Sequence, residues 1–143
     1  MNNALHIPVL SKEVINSVIS DTEGDYLDVT AGFGGHTKLI LEKLTENGTL
    51  IASDIDQDSI NYMKSKFSDP KLTILKSSFQ KLEENIGDLG VPKLFDGIIA
   101  DLGVSSYQLD THNRGFSFMN DGELDMRMDQ QNGISAKEWI NTA

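Results

Sequence analysis

The sequence predicts an α/β protein, the first half of a doubly wound parallel β-sheet, and three observations predict it. Apolar segments of strand length alternate with helix-period segments between residues 26 and 103. Helices standing between strands imply right-handed crossovers, which join parallel strands. The 143 residues are 38% hydrophobic, enough for one globular domain, or part of a larger one, with a real core.

The elements follow in order. "EVINSVIS" (13–20) places Val14, Ile15, Val18 and Ile19 on one helical face, with Ser11 as the expected N-cap. "YLDVT" (26–30) reads as a first strand that runs into glycines. "HTKLILEKL" (36–44) is helical, and Gly48 is its expected stop. "TLIASD" (49–54) is a second strand closed by an acid, and "DQDSINYMKSKF" (56–67) a helix capped by Asp56 or Asp58. "KLTILKS" (71–77) is a third strand, and "FQKLEENIGDLG" (79–90) a helix with a glycine exit. "LFDGIIADLG" (94–103) is strongly apolar, a fourth strand of the buried type. From 104 to 133 the sequence turns polar and rich in Gly and Met, with little periodicity, as in a long functional loop. "SAKEWINTA" (135–143) opens a helix with a capping box, Ser135 with Glu138.

Composition narrows the function classes. Twelve Lys and Arg stand against 22 Asp and Glu, a net charge of −10, which disfavours a chain that clamps a phosphate backbone by itself. Cys is absent, which excludes disulfides and thiolate metal sites; with three His, no metal is expected. No apolar run approaches the ~18 residues of a membrane span, and the N-terminus lacks a secretory pattern. A cytoplasmic protein without membrane contact is expected.

The strand ends carry the chemistry, because ligands of open α/β sheets bind there. The first ends at Gly32, Gly34, Gly35 and His36, a backbone a ligand can approach, at the positive end of a helix. Gly34→Val is expected to abolish binding and leave the fold largely intact; the alternative is a tight turn with no ligand. The second ends at Asp54, 20 residues after Gly34, where a carboxylate accepts both hydroxyls of a ribose; the alternative is a helix cap. Phe79, after the third, covers an adenine face or is an ordinary core aromatic. Asp101 ends the fourth, where a buried acid is costly unless it binds something. Together these positions point to an adenosine-containing cofactor. Thr37 stands where a dinucleotide fingerprint wants its third glycine, which favours S-adenosylmethionine (AdoMet) over NAD and disfavours an NAD-type oxidoreductase.

The stretches "HIPVL" (6–10), "DVTAGFGGHT" (28–37), "ASDIDQDSI" (52–60), "DGIIADLGVSSYQLD" (96–110), "RGFSF" (114–118) and "DGELDMRMD" (121–129) resemble the bacterial small-subunit ribosomal RNA cytosine-N4 methyltransferase family, MraW type. The resemblance implies the N-terminal half of a class I AdoMet-dependent methyltransferase, with a Rossmann-like doubly wound sheet. Residues 1–103 would form the cofactor-binding core with its first four strands, and 104–143 the start of a helical substrate-recognition insert. It implies methyl transfer to the exocyclic N4 amine of a cytosine in small-subunit RNA, with cofactor contacts at Gly34, Gly35, His36, Asp54, Phe79, Asp101 and Gln108. Gln108 comes from the resemblance alone. Asp101 is also a candidate acceptor for the amine proton. Arg114 and Arg127 are candidate phosphate partners, and Phe116 and Phe118 candidate base-stacking rings; the alternative is a packing lid with Arg–Asp surface pairs. Family members continue past residue 143. The chain alone is therefore expected to transfer no methyl group, to bind AdoMet weakly if at all, and to self-associate through the open edge of its fourth strand. The rival is a cofactor-binding fragment without catalytic activity.

Overall fold

The computed structural model describes residues 10–90 and 94–143, so the 6–9 part of the first matched stretch lies outside the described residues. The chain divides into two compact units, Met1–Asp101 and Leu102–Ala143. No described helix is long and apolar enough to cross a membrane.

The first unit holds one parallel sheet of four strands, β1 (Asp25–Asp28), β2 (Thr49–Asp54), β3 (Leu72–Lys76) and β4 (Gly97–Ile99), in the order β3-β2-β1-β4. The strand order therefore reverses between β1 and β4, and all four carboxyl ends lie at one side of the sheet. Successive residues of a strand face opposite ways, and both faces are apolar. On one, Tyr26, Leu50 and Ile99 pack with Ile15 of α1 (Ser11–Val18) and with Ile40 and Leu41 of α2 (Gly35–Lys43). On the other, Leu27 and Ile51 pack with Ile86 of α4 (Leu82–Asp88). Met63 of α3 (Gln57–Lys66) meets Ala31 and Ala52. This two-sided burial is why β1 and β2 read as apolar runs rather than alternating ones.

Several boundaries differ from the sequence expectation. Ser11 is not the cap of α1: Leu10 occupies that position in the left-handed region, and Ser11 is buried as the first helical residue. Strand β1 stops at Asp28, because beyond it the chain enters the turn that carries the glycines. Helix α2 ends at Lys43, before Gly48; Lys71 closes it by donating from Nζ to the carbonyls of Leu41 and Leu44, each at 3.0 Å. Asp56 caps α3, accepting from the Asp58 amide at 3.0 Å. The segment after β3 opens as a 3₁₀ turn, Phe79–Lys81, before α4. Strand β4 is short and half-exposed rather than buried. Ile98 pairs in register with Leu27 and is 57% exposed, because β4 is the edge of this sheet.

The second unit is more ordered than a structureless loop. Helix α5 (Ser106–Asp110) opens with a capping box, Ser105 with Gln108. A 3₁₀ turn, His112–Arg114, follows, and α6 (Ala136–Thr142) carries the expected box of Ser135 with Glu138. Gly115 and Gly122 bring backbones together: a Cβ on Gly115 would lie 2.4 Å from the Glu123 carbonyl oxygen, and one on Gly122 2.3 Å from that of His112. No side chain fits at these approaches.

Candidate functional site

Three acids stand at adjacent strand tips of the first unit: Asp28 closing β1, Asp54 closing β2 and Asp101 two residues beyond β4. The Gly32–His36 turn lies between β1 and α2. Asp54 Oδ2 accepts from the Gly32 amide at 2.7 Å, and Oδ1 from the Asp56 amide at 2.9 Å. Asp54 therefore ties the glycine turn to β2, while the cap of α3 falls to Asp56. Burial raises the Asp54 pKa, and the amides of Asp56 and Gly32 oppose that rise.

Asp28 was missed by sequence reasoning, which read it as an ordinary strand residue; its signal was a carboxylate just before the glycine turn. It is fully buried. Its oxygens accept from the Thr30 amide at 3.1 Å and the Thr37 hydroxyl at 3.2 Å. Burial, with repulsion from Asp54 and Asp101, pushes its pKa up to about 7 against those two hydrogen bonds. A carboxyl in this setting gains most from a cationic partner.

His36 sits in the first turn of α2 and is buried, and its Nε2 has no hydrogen-bond partner. Burial lowers its pKa and the Asp101 charge opposes this, so it is neutral near pH 7. Helical bonding of α2 starts with the Lys38 amide donating to the Gly34 carbonyl at 3.0 Å, so the amides of Gly35, His36 and Thr37 precede the helical ladder. Gly34 serves the chain rather than an open face: its φ is 83°, and a Cβ there would lie 2.5 Å from the Phe67 ring. Gly32, with φ 51°, has open space around its own Cβ direction.

Asp101 is exposed, so the expected cost of burying an acid there does not arise. Its carboxylate makes no hydrogen bond among the described residues, while its amide donates to Thr30 Oγ1 at 2.7 Å. Phe79 is 60% exposed, which removes the core-aromatic alternative. The first unit thus brings Gly34, Gly35, His36, Asp54 and Asp101 to the carboxyl side of one sheet, with Phe79 after β3.

The remaining candidates belong to the second unit. Gln108 is buried, and its Oε1 accepts from the Ser105 amide at 3.0 Å. Arg114 is buried and donates to the carbonyls of Arg127 and Met128 at 3.1 and 3.0 Å, so its guanidinium holds a loop together rather than facing a phosphate. Arg127 pairs with Asp125 through Nε at 2.6 Å and Nη2 at 3.2 Å, which holds the Asp125 carboxyl down at about 2. Both arginines follow the packing-lid alternative. Phe116 is half-buried and Phe118 is 96% exposed. Arg114→Met should cost about 2–4 kcal/mol by leaving two carbonyls unpaired, read as faster proteolytic cleavage between residues 115 and 133.

A family model described as the MraW methylase family matches residues 3–143. Ribosomal RNA small subunit methyltransferase H of Acinetobacter baumannii is 48% identical over 137 residues, covering 94% of this chain and 44% of its own length. The protein of the same name from Ruthia magnifica is 47% identical over 138 residues, covering 96% and 45%. The chain thus spans less than half the length of the curated relatives it matches. A solved structure described as an O-methyltransferase from Klebsiella pneumoniae superposes with a TM-score of 0.55 at 16% identity, over 69% of this chain and 46% of that one, which shows a shared fold.

Proposed function

This chain belongs to the MraW methylase family, and from that premise we propose that it supplies the cofactor-binding side of an AdoMet-dependent transfer of a methyl group to the exocyclic N4 amine of a cytosine in small-subunit ribosomal RNA. The observation that carries the reading is the set of carboxylates at the β1, β2 and β4 tips around a glycine turn, beside a buried His36 Nε2 without a partner. These residues fit an adenosyl cation. Asp28 is a buried acid whose main influences are desolvation, two hydrogen bonds and two further carboxylates. Asp54 keeps acceptor capacity beyond its backbone bonds, since each carboxylate oxygen accepts twice.

When bound, the cofactor supplies an electrophilic methyl group on a sulfonium sulfur. Asp28 would answer its positive charge, Asp54 would accept from the ribose hydroxyls, and the first-turn amides of α2 with His36 Nε2 would supply donors or an acceptor to its polar end. Phe79 would offer its exposed ring to the adenine. Asp101 stands ready to accept the proton that the cytosine amine loses, a role suited to a carboxylate with no other bond. Residues 104–143 would serve substrate recognition, with Phe116 and Phe118 stacking on unpaired bases. With ribosomal RNA as its substrate, the protein would act in the cytoplasm.

The test grafts residues 3–143 into the Acinetobacter relative in place of the matching segment and follows labelled methyl transfer to small ribosomal subunits. Label in N4-methylcytidine after digestion is expected. A folded chimera that labels no cytosine contradicts the reading. Asp54→Ala should weaken AdoMet binding by about 1.5–3 kcal/mol, through lost charge-assisted hydrogen bonds, measured by calorimetry.

A further inference from the structure

The β1–β4 ladder ends in an unusual way. Its last backbone rung is the Val29 amide donating to the Ile99 carbonyl at 3.0 Å. At the next rung the Asp101 amide donates instead to a side chain, Thr30 Oγ1, at 2.7 Å. The Thr30 amide meanwhile donates to Asp28 Oδ1 at 3.1 Å. One residue thus grips the acid at the tip of β1 and the backbone of the acid at the tip of β4. Beyond this bond Asp101 has no other polar anchor among the described residues, and β4 is a short edge strand.

We propose that Thr30 is a positioning residue, whose hydroxyl clamps the β4 tip to the glycine turn and so holds the Asp101 carboxylate within reach of His36. The inference rests on the functional reading for its consequence, not for its geometry. Asp101 is the charge that acts on His36 from β4, and Asp28 reaches α2 from β1 through Thr37. A valine at position 30 keeps the shape and loses the acceptor. The Asp101 amide then goes to water, and the carboxylate moves with it. A serine restores the oxygen.

The experiment compares wild type, Thr30→Val, Thr30→Ala and Thr30→Ser. The first readout is the His36 imidazole resonance followed against pH, assigned by its loss in His36→Asn. The second is AdoMet binding by calorimetry. In the valine and alanine variants the His36 midpoint moves to lower pH, because the charge opposing its burial has withdrawn, and AdoMet affinity falls about tenfold, as for one lost hydrogen bond with an unpaired partner. Thr30→Ser restores both. An unmoved His36 midpoint in folded Thr30→Val and Thr30→Ala overturns the clamp, as does wild-type AdoMet affinity in either. A shifted midpoint without AdoMet binding in the wild type upholds the clamp and removes the cofactor reading instead.

Discussion

Gly34→Val loses the fold of the glycine turn together with cofactor binding. The new Cβ would lie 2.5 Å and 2.6 Å from the Phe67 ring and 2.8 Å from Met63 Sδ, at a φ of 83°. Overpacking and left-handed strain together cost roughly 2–5 kcal/mol. Thermal unfolding followed by circular dichroism should show a large drop in midpoint. This reverses the expectation from sequence that the fold survives, because Gly34 presses on α3 rather than facing a ligand. Gly32→Ala is the contrast. Its Cβ meets nothing closer than the Thr30 carbonyl oxygen at 3.9 Å, so it pays only the left-handed term of roughly 1–2 kcal/mol. A Gly34→Val protein with wild-type stability would return that glycine to the ligand face.

Asp28→Asn acts in the opposite sense, stabilising the protein while weakening binding. The Asp28 pKa is about 7 in the folded chain against an ordinary 3.8. Between those values the native state holds a proton that the unfolded chain has released, so stability from this group is complete below pH 3.8 and is lost as pH rises through 7. A shift of that size corresponds to about 4 kcal/mol. Asparagine avoids the buried charge, accepts from the Thr30 amide and donates to Thr37. Urea unfolding should therefore show the variant more stable at pH 8, with the gap closing toward pH 4. AdoMet affinity should fall at least about tenfold, since the buried anion that answers a cation is gone.

Much of this was legible in the sequence. Strands β1 to β3 and helices α2 and α3 follow from apolar runs and caps, which are local signals. The Asp54 and glycine positions follow from spacing along one crossover. What was not legible depends on contacts distant in sequence. Asp28 looked like any strand residue until Thr37 and the strand packing closed over it. Ile98 looked buried because apolar character does not reveal the edge of a sheet. The sequence left Arg114 open between a phosphate partner and a packing lid, because the carbonyls of residues 127 and 128 that it holds come from a segment that periodicity did not describe. The clamp at Thr30 spans 71 residues, and no local pattern announces it.

We propose that these strand tips hold an adenosyl cation. The most direct measurement is a titration of the ¹⁵N-labelled chain with AdoMet, with NAD in a parallel titration, following backbone amide shifts. Saturable shifts are expected with AdoMet at Gly32, Gly35, His36, Ile55 and Asp101, greatly weakened in Asp54→Ala, and none of this pattern with NAD. Shifts confined to other surfaces, equal shifts with both ligands, or no change at these amides at millimolar AdoMet would contradict it.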